Sequence, residues 1–185
     1  MRIIGGKARS ILVEAPNSLA VRPTADRARE ALFNSLGDLT GFTVLDLYAG
    51  SGAMGLEAAS RGAANVIFVE REKKHCEYIE RNVIKVSKAV GGFSAKVVNS
   101  AVSTAPWFGD TPNLILADPP YPESLEEFKL LIANEPFRAF AKGAKMVWEM
   151  PDTPGIVGEF LLASPRKRTV RRFGGVDFLI ILDME

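Results

Sequence analysis

Short apolar runs alternate with amphipathic segments from about residue 43 to residue 161. Runs of four to six apolar residues bounded by turn residues favour buried strands, and longer stretches with helical spacing favour helices. The predicted strands are Thr43–Leu47, Asn65–Val69, Ala95–Val98, Asn113–Ala117 and Ala144–Glu149. The predicted helices are Ala53–Ser60, Glu72 to about Ala89, Leu125–Ala133 and a short segment at Pro154–Leu161. Strands that alternate with helices predict a parallel sheet with helices on both faces, the α/β class.

The first 40 residues precede this alternation and are predicted to form an N-terminal extension. Ile3-Ile4, two glycines and the run Ser10–Val13 predict a short β-hairpin or an extended arm. A helix is then expected to run to about Leu36, with Thr24 as its N-cap and a glycine after its last turn.

The C-terminal segment predicts a β-hairpin. Arg168–Phe173 and Val176–Leu182 flank Gly174-Gly175, a two-residue sequence that favours a tight turn between paired strands. At 185 residues the chain is of ordinary domain size. We therefore expect one domain over residues 1–185, with residues 1–40 as the extension and residues 41–185 as the catalytic core.

Composition narrows the class of protein. Apolar residues make up 47% and charged residues 24% of the chain, as in a globular protein. Cys76 is the only cysteine, so no internal disulfide forms, and its neighbour His75 is the only histidine, so no metal site is predicted. The N-terminus is unlike a signal peptide, and no apolar run is long enough to span a bilayer. We expect a cytoplasmic monomer without a membrane partner.

A glycine-rich turn follows the first strand of the core. Gly50, Gly52 and Gly55 fit the G-x-G-x-x-G dinucleotide fingerprint, and Glu70 follows about 20 residues later, as that fingerprint requires. The glycines alone do not distinguish a nicotinamide cofactor from S-adenosylmethionine. Asp46 favours the second, because its carboxylate would repel a pyrophosphate and can accept from the ammonium of a methionine moiety.

The sequence Asp118-Pro119-Pro120-Tyr121 also favours S-adenosylmethionine, since it has no role in dinucleotide binding. It follows an apolar strand, and its prolines stiffen the backbone, so that Asp118 and nearby carbonyls form a fixed set of acceptors. Such acceptors suit an exocyclic amine, and Tyr121 offers a ring for stacking. Like the glycine turn, Glu70 and Asn99-Ser100, this motif lies at the carboxyl end of a predicted strand, where α/β sheets bind ligands.

Basic residues cluster near both ends of the chain, although the net charge is only +1. Two basic segments flanking an amine-modifying site favour a phosphate backbone as the partner. The candidate phosphate-binding residues are Lys7, Arg9, Arg22, Arg27, Arg29, Arg171 and Arg172. For Arg27 and Arg29 a salt bridge to Asp26 or Glu30 is the alternative role.

Four motifs together resemble the 16S ribosomal RNA guanine-N2 methyltransferase family (RsmD-like) of the class I S-adenosylmethionine-dependent methyltransferases. They are Arg2–Gly6, Arg22–Asn34, Asp46–Gly62 and Asp118–Tyr121. The last two are generic cofactor and catalytic loops, and the stretch Arg22–Asn34 is the most specific of the four. The resemblance implies a Rossmann-like fold with a seven-stranded, mostly parallel sheet whose seventh strand is antiparallel. It also implies methylation of one guanine N2 amine in 16S ribosomal RNA, either naked or in a small-subunit assembly intermediate.

The resemblance implies the following site residues. The catalytic residues would be Asp118, Pro119, Pro120 and Tyr121, with Asp118 and the Pro119 carbonyl accepting both hydrogens of the guanine amine. The cofactor-binding residues would be Asp46, Tyr48, Ala49, Gly50, Ser51, Gly52, Glu70, Arg71, Asn99, Ser100 and Ala101. Asn99 and Ser100 are alternatives for the adenine contact, and Glu149, an acid near the end of the fifth strand, has no assigned role.

Three other functions compete with this interpretation. A DNA adenine-N6 methyltransferase can share Asp-Pro-Pro-Tyr, but the chain has no room for a separate target-recognition domain. A protein glutamine methyltransferase usually has Asn at position 118. A catalytically silent RNA-binding assembly factor would not need the intact Asp46, Glu70 and Asp118–Tyr121.

Overall fold

The computed structural model describes residues 1–15, 23–107, 109–165 and 167–184, including their side chains except those of residues 23–25. Its strands are β1 (Thr43–Leu47), β2 (Asn65–Glu70), β3 (Ser94–Asn99), β4 (Leu114–Ala117), β5 (Lys145–Met150), β6 (Arg168–Phe173) and β7 (Val176–Ile181). Its helices are α1 (Pro23–Leu36), α2 (Ala53–Ser60), α3 (Lys73–Val90), α4 (Ser124–Ala133), α5 (Glu135–Phe140) and α6 (Ile156–Ala163).

The seven strands form one sheet in the order β3-β2-β1-β4-β5-β7-β6. The first five strands pair in parallel, and β7 runs antiparallel to both of its neighbours. The chain progresses outward from β1 to β3 on one side and from β4 to β5 on the other. The sheet therefore has its topological switch point between β1 and β4, where ligands bind in this architecture. The predicted Rossmann-like fold with an antiparallel seventh strand is confirmed.

Alternating strand residues supply two separate apolar cores, because successive side chains of a strand point to opposite faces. The first core joins Val44, Leu116 and Val147 to Leu32 of α1, Leu56 of α2 and Ile79 of α3. The second core joins Leu45, Ala117 and Trp148 to Phe128 of α4, Phe137 of α5 and Phe160 of α6. Three helices therefore cover each face.

The N-terminal extension folds back as an antiparallel arm. Arg2 and Leu12 form a β-bridge, and the Ile3 amide donates to the Ile11 carbonyl at 2.9 Å. The fully buried carboxylate of Glu57 in α2 accepts from the amides of Ile4 at 2.7 Å and Gly5 at 2.8 Å. The predicted hairpin or arm is thus present, and a charged side chain of the core binds it.

Two details of the prediction were wrong. Helix α1 begins at Pro23, so Thr24 lies within its first turn and does not precede it as an N-cap; proline suits the first helical position because its missing N–H needs no partner there. Helix α5 was not predicted. The sequence does contain helix-start signals for α5. The Asn134 side chain caps the helix by accepting from the Phe137 amide at 2.9 Å, and Pro136 lies in its first turn. The helix has only six residues, which is too short for a clear periodic pattern.

None of the helices in the described ranges combines the length and apolarity needed to cross a bilayer.

Candidate active site

A row of polar residues crosses the carboxyl edge of the sheet. In the strand register Leu47 pairs with Val69 on one side and Ala117 on the other, and Ala117 pairs with Trp148. The residues one position further along these four strands are Glu70, Tyr48, Asp118 and Glu149. Neighbouring strands lie about 4.8 Å apart, so strand pairing alone brings residues that are distant in the chain into a single row at the switch point.

This row borders a cavity of about 740 Å³. The predicted site residues that line it are Tyr48, Gly50, Glu70, Arg71, Ser100, Ala101, Asp118, Pro119, Pro120 and Tyr121. The remaining predicted residues, Asp46, Ala49, Ser51, Gly52 and Asn99, are not part of the lining. The glycine turn and the Asp118–Tyr121 motif therefore open onto one shared space, which is the arrangement that methyl transfer between them requires.

Helix α2 begins directly at the glycine turn and lies close against β2. Gly52 has a left-handed backbone with φ of 79°, which glycine adopts without steric penalty. A Cβ atom at Gly55 would come within 2.5 Å of the Phe68 ring and 2.7 Å of the Val66 side chain. Gly55 therefore allows α2 to pack closely against the sheet.

Asp46 lies beneath the glycine turn. Its buried Oδ2 accepts from the Gly55 amide at 2.8 Å at the start of α2. Burial raises the pKa of Asp46 well above its ordinary value, the Gly55 hydrogen bond opposes that rise, and the charges of Asp118 and Glu70 add to it. Asp46 supports the turn from below, and its contact with a methionine ammonium stays a prediction.

Glu70 is a cavity-lining carboxylate that two backbone amides orient. It is only 6% exposed, and it accepts from the Gly50 amide at 2.7 Å through Oε2 and from the Glu72 amide at 2.8 Å through Oε1. The His75 ring lies 3.6 Å from Oε1. These contacts hold the carboxylate at the cavity wall beside the glycine turn.

The structure separates the two candidates for the adenine contact. The Asn99 amide donates to the carbonyls of Glu70 at 3.1 Å and Arg71 at 2.8 Å, so it ties the ends of β2 and β3 together. Ser100 and Ala101 line the cavity. Of the two, only Ser100 lines the cavity, and its contact with an adenine stays a prediction.

The Asp118–Tyr121 motif forms the opposite rim of the cavity. Pro119 is buried, and the loop is anchored where α4 begins by a hydrogen bond from the Trp148 indole to the Ser124 hydroxyl at 3.0 Å. Tyr121 is 44% exposed, and its hydroxyl donates to Oε1 of Glu149 at 2.8 Å. The rim is therefore held at both ends, and the tyrosine ring stands at its outer side.

The carboxyl groups of Asp118 and Glu149 influence each other. The Asp118 side chain is open to the cavity, but the cavity walls displace bulk water and so raise its pKa. The charge of Glu149 raises this pKa further, and the charge of Arg29 opposes the rise. Burial also raises the pKa of Glu149, against the hydrogen bond from Tyr121. Two neighbouring carboxylates disfavour double ionisation, so the pair titrates together.

The predicted phosphate-binding residues fall into three groups. Lys7, Arg9, Arg27 and Arg171 are exposed. Arg172 is exposed but bonds Asp177 at 2.9 Å and the Gly175 carbonyl at 3.0 Å. Arg22 lies outside the described residues.

Arg29 forms the third group, and its predicted role in phosphate binding was wrong. Only 6% of it is exposed, and its guanidinium bonds Asp26 at 3.0 Å and the Arg2 carbonyl at 2.8 Å. The salt bridge to Asp26, which the sequence left open as the alternative, is the observed role. A guanidinium so enclosed cannot reach a phosphate at the surface.

About half of the residues that line the cavity were not predicted from the sequence. The additional residues are Met1, Asp26, Val69, Glu72, His75, Val102, Glu123, Glu127, Glu149 and Val176. Tyr48, which has a positive φ of 57°, connects with one of them by donating its hydroxyl to Glu127 at 2.9 Å. Glu149 alone carried a usable signal, because aligning the ends of the predicted fourth and fifth strands places it near Asp118.

Both tryptophans and the cysteine have packing roles. Trp148 is fully buried between Phe128 and Tyr48, and Trp107 contacts Phe137 and Phe140. Cys76 is buried against the Glu70 carbonyl.

The sequence of the chain matches a known family. The family model described as Conserved hypothetical protein 95 matches residues 1–175. The chain belongs to this family. Together with the named relatives described next, this match confirms the resemblance to the RsmD-like methyltransferases.

The Ribosomal RNA small subunit methyltransferase D of Escherichia coli strain K12 is 40% identical over 129 residues, which cover 69% of this chain. The match spans 63% of the length of that relative, less than two thirds. The proposed rRNA methyltransferase YlbH of Bacillus subtilis is 31% identical over 141 residues, with 73% of this chain and 74% of that relative covered.

The solved structures agree with this family. The proposed methyltransferase yhhF of Escherichia coli superposes with a TM-score of 0.76 at 32% identity, and the match covers 100% of this chain and 99% of that one. A hypothetical protein of Thermus thermophilus has a TM-score of 0.71 at 27% identity, with 98% of each chain covered. The chain therefore has the class I methyltransferase fold.

Proposed function

We propose that this protein uses S-adenosylmethionine to methylate the exocyclic N2 amine of one guanine in 16S ribosomal RNA. The observation that carries the proposal is the shared cavity, with Gly50, Glu70 and Ser100 on one side and Asp118–Tyr121 on the other. The names of the related proteins support an RNA substrate.

The residues on the β1–β3 side of the cavity fit S-adenosylmethionine. Glu70 is oriented by two backbone amides and can accept from both ribose hydroxyls. Ser100, Ala101 and Val102 offer a small polar and apolar surface for an adenine. When bound, S-adenosylmethionine supplies a methyl group on a positively charged sulfur, and a cavity lined by several acids suits a cation.

The residues on the β4 side fit an aromatic amine. Asp118 and the carbonyl of Pro119 present acceptors from a stiff backbone, so they can hold both amine hydrogens. This matters because the lone pair of a guanine N2 is delocalised into the ring and is a poor nucleophile. Holding both hydrogens directs the lone pair into the cavity, and positioning of this kind lowers a barrier by several kcal/mol.

The amine must lose one proton when it becomes methylated. Asp118 lies beside the amine in this arrangement. The cavity walls, which displace bulk water, and the charge of Glu149 raise its pKa. A carboxylate whose pKa is closer to neutral accepts a proton more readily than an ordinary aspartate. Asp118 or a water in the open cavity takes the proton.

The surface around the cavity rim has residues that can bind an unpaired nucleotide and its flanking phosphates. Tyr121 stands at the rim with 44% of its surface exposed and can stack on the target base, which contributes about 1–3 kcal/mol in single-strand recognition. A guanine N2 faces the minor groove of a helix, so in-line access favours an unpaired or flipped base. Lys7, Arg9, Arg27 and Arg171 are the exposed cations that can bind the flanking phosphates.

Transfer of tritiated methyl groups tests the proposal. Purified protein is incubated with S-adenosylmethionine and with 16S RNA, small subunits, assembly intermediates or DNA, and the modified nucleotide is mapped by mass spectrometry. We expect N2-methylguanosine at one position of the RNA. N6-methyladenosine in DNA would favour the adenine methyltransferase, and no transfer to any substrate would favour a silent binding factor.

The variant Asp118→Ala is expected to abolish transfer while cofactor affinity changes by no more than a few fold, because Asp118 faces the amine and not the cofactor. Calorimetry measures the affinity. Asp110→Ala, at an exposed loop aspartate outside the cavity lining, is the matched control and should transfer at the wild-type rate. A large loss of cofactor binding in Asp118→Ala would contradict the assigned role.

A further inference from the structure

We propose that Glu149 accepts a hydrogen bond from N1–H of the target guanine and thereby selects guanine among purines that carry a 2-amino group. This inference rests on the proposed function and adds the residue that determines base specificity.

Strand pairing places Glu149 beside Asp118. Ala117 of β4 and Trp148 of β5 are register partners, and the next residues along these parallel strands are Asp118 and Glu149. Ala117 and Trp148 both belong to the core beneath α4–α6, so the following two side chains start from the opposite face of the sheet. Both line the cavity.

Tyr121 leaves part of the Glu149 carboxylate available. Its hydroxyl donates to Oε1 of Glu149 at 2.8 Å, and within the described ranges no donor bonds Oε2. The bond also restricts rotation of the carboxylate and ties it to the ring proposed to stack on the base. A base that stacks on Tyr121 therefore has its edge near both Asp118 and Glu149.

The edge of guanine matches two adjacent acceptors. Guanine presents N1–H and the N2 amine side by side, and both are donors. An ionised carboxylate only accepts hydrogen bonds. With the amine held by Asp118 and the Pro119 carbonyl, the neighbouring N1–H faces the next strand, about 4.8 Å away, where Glu149 lies.

Other purines do not match this pair. In adenine and in 2-aminopurine N1 carries a lone pair and no hydrogen, so a carboxylate at Glu149 would repel it. Sites built to bond an N–H discriminate strongly against analogues that lack it, because their buried polar groups are then left unpaired. The pair of acids thus favours guanine both by attraction and by repulsion of the alternatives.

A single change of base tests the inference. We would assemble 16S RNA by splinted ligation with either guanosine or 2-aminopurine riboside at the mapped nucleotide, and measure kcat/KM for each. Both bases have the 2-amino group, but only guanine has N1–H. Wild-type protein is expected to prefer guanosine by about 100-fold or more, in line with discrimination by unpaired polar groups.

Replacement of the acid should reduce that preference. In Glu149→Gln the carboxamide can accept from Tyr121 and donate to the N1 lone pair of 2-aminopurine, so the ratio of the two kcat/KM values should fall at least about 10-fold. Glu123→Gln, at an acid of the cavity lining that is exposed, should leave the ratio unchanged. A thermal melt of each variant confirms that it is folded.

Two results would overturn the inference, and a third would refute the proposed function beneath it. Wild-type protein could methylate the two RNAs equally well, which decides the matter even if Glu149→Gln fails to fold. Glu149→Gln could slow both reactions by the same factor, as expected for a residue that only supports the structure. Absence of transfer to the guanosine RNA by wild type would instead refute the proposed function on which the inference depends.

Discussion

At the scale of single residues, burial decides which arginines are available to a nucleic acid. Arg29 and Arg171 carry the same charge and are both candidates on sequence grounds. Arg29 is enclosed and bonds Asp26 and the Arg2 carbonyl, whereas Arg171 is exposed on the edge strand β6. Arg29 therefore stabilises the fold, whereas Arg171 is free to approach the phosphates of a nucleic acid.

The variants Arg29→Ala and Arg171→Ala should therefore affect different properties, the first the stability of the fold and the second the binding of RNA. Arg29→Ala removes hydrogen bonds of a charged group, each worth about 1.5–3 kcal/mol, so the free energy of unfolding in urea should fall by at least that amount. Arg171→Ala should change stability by less than about 0.5 kcal/mol but weaken RNA binding and reduce the slope of log K against log salt by about 1. An unchanged salt slope for Arg171→Ala would exclude a phosphate contact there.

At the scale of elements, the N-terminal arm is bound by two side chains of α2, Glu57 and Ser60. The Ser60 hydroxyl accepts from the Ala8 amide at 2.9 Å and donates to the Gly5 carbonyl at 2.6 Å. Glu57 is fully buried and accepts from the amides of Ile4 and Gly5, and its third partner is the Arg61 guanidinium at 2.8 Å. Met1, at the start of this arm, lines the cavity. The hydrogen bonds of Glu57 therefore connect the position of the arm to the shape of the cavity.

The variant Glu57→Ala should release the arm from the core. Two amides lose an ionised acceptor, and hydrogen bonds of this kind are worth about 1.5–3 kcal/mol each. We expect faster hydrogen exchange at Ile4 and Gly5, with weaker cofactor binding because part of the cavity wall is displaced. Glu77→Ala, at an exposed position of α3, is the control. Unchanged exchange at Ile4 and Gly5 would show that the Ser60 hydrogen bonds and the apolar contacts hold the arm without Glu57.

At the scale of the whole molecule, the sheet brings like charges together at its switch point. Asp118 and Glu149 come from neighbouring strands, and their mutual repulsion raises the pKa of Asp118 in addition to the effect of burial. Because the pKa is higher in the folded state than in the unfolded chain, stability from this group is present below its ordinary pKa of 3.8 and is lost as the pH rises through the folded value. The site therefore lowers the stability of the fold at neutral and alkaline pH.

The variant Asp118→Asn should be more stable than wild type at pH 8 and nearly equal to it at pH 4. The neutral amide removes the repulsion, and a gain of about 1 kcal/mol would raise Tm by about 2–4 °C in a protein of this size. Thermal melts across that pH range measure the difference. A gain that is largest at pH 4, or a loss at pH 8, would mean that the attraction between Asp118 and Arg29 outweighs the repulsion from Glu149.

Much of the architecture was determined by the sequence itself, because period-2 and helical patterns, proline and glycine act over a few residues. Strand β1, helix α2 and strand β6 begin and end where predicted, and the Gly50–Gly55 and Asp118–Tyr121 loops were recognised as parts of one site. The six-residue helix α5 was missed because so short a segment contains less than two full turns of apolar periodicity.

Tertiary structure alone decided the properties that depend on neighbours distant in the chain. Whether Arg29 faces solvent, whether Asn99 or Ser100 reaches the cavity, and which acid stands next to Asp118 all follow from strand register and helix packing. Local sequence encodes how a segment folds, but burial, electrostatic coupling and cavity shape are set by atoms from other segments, and so they appear only once the sheet is assembled.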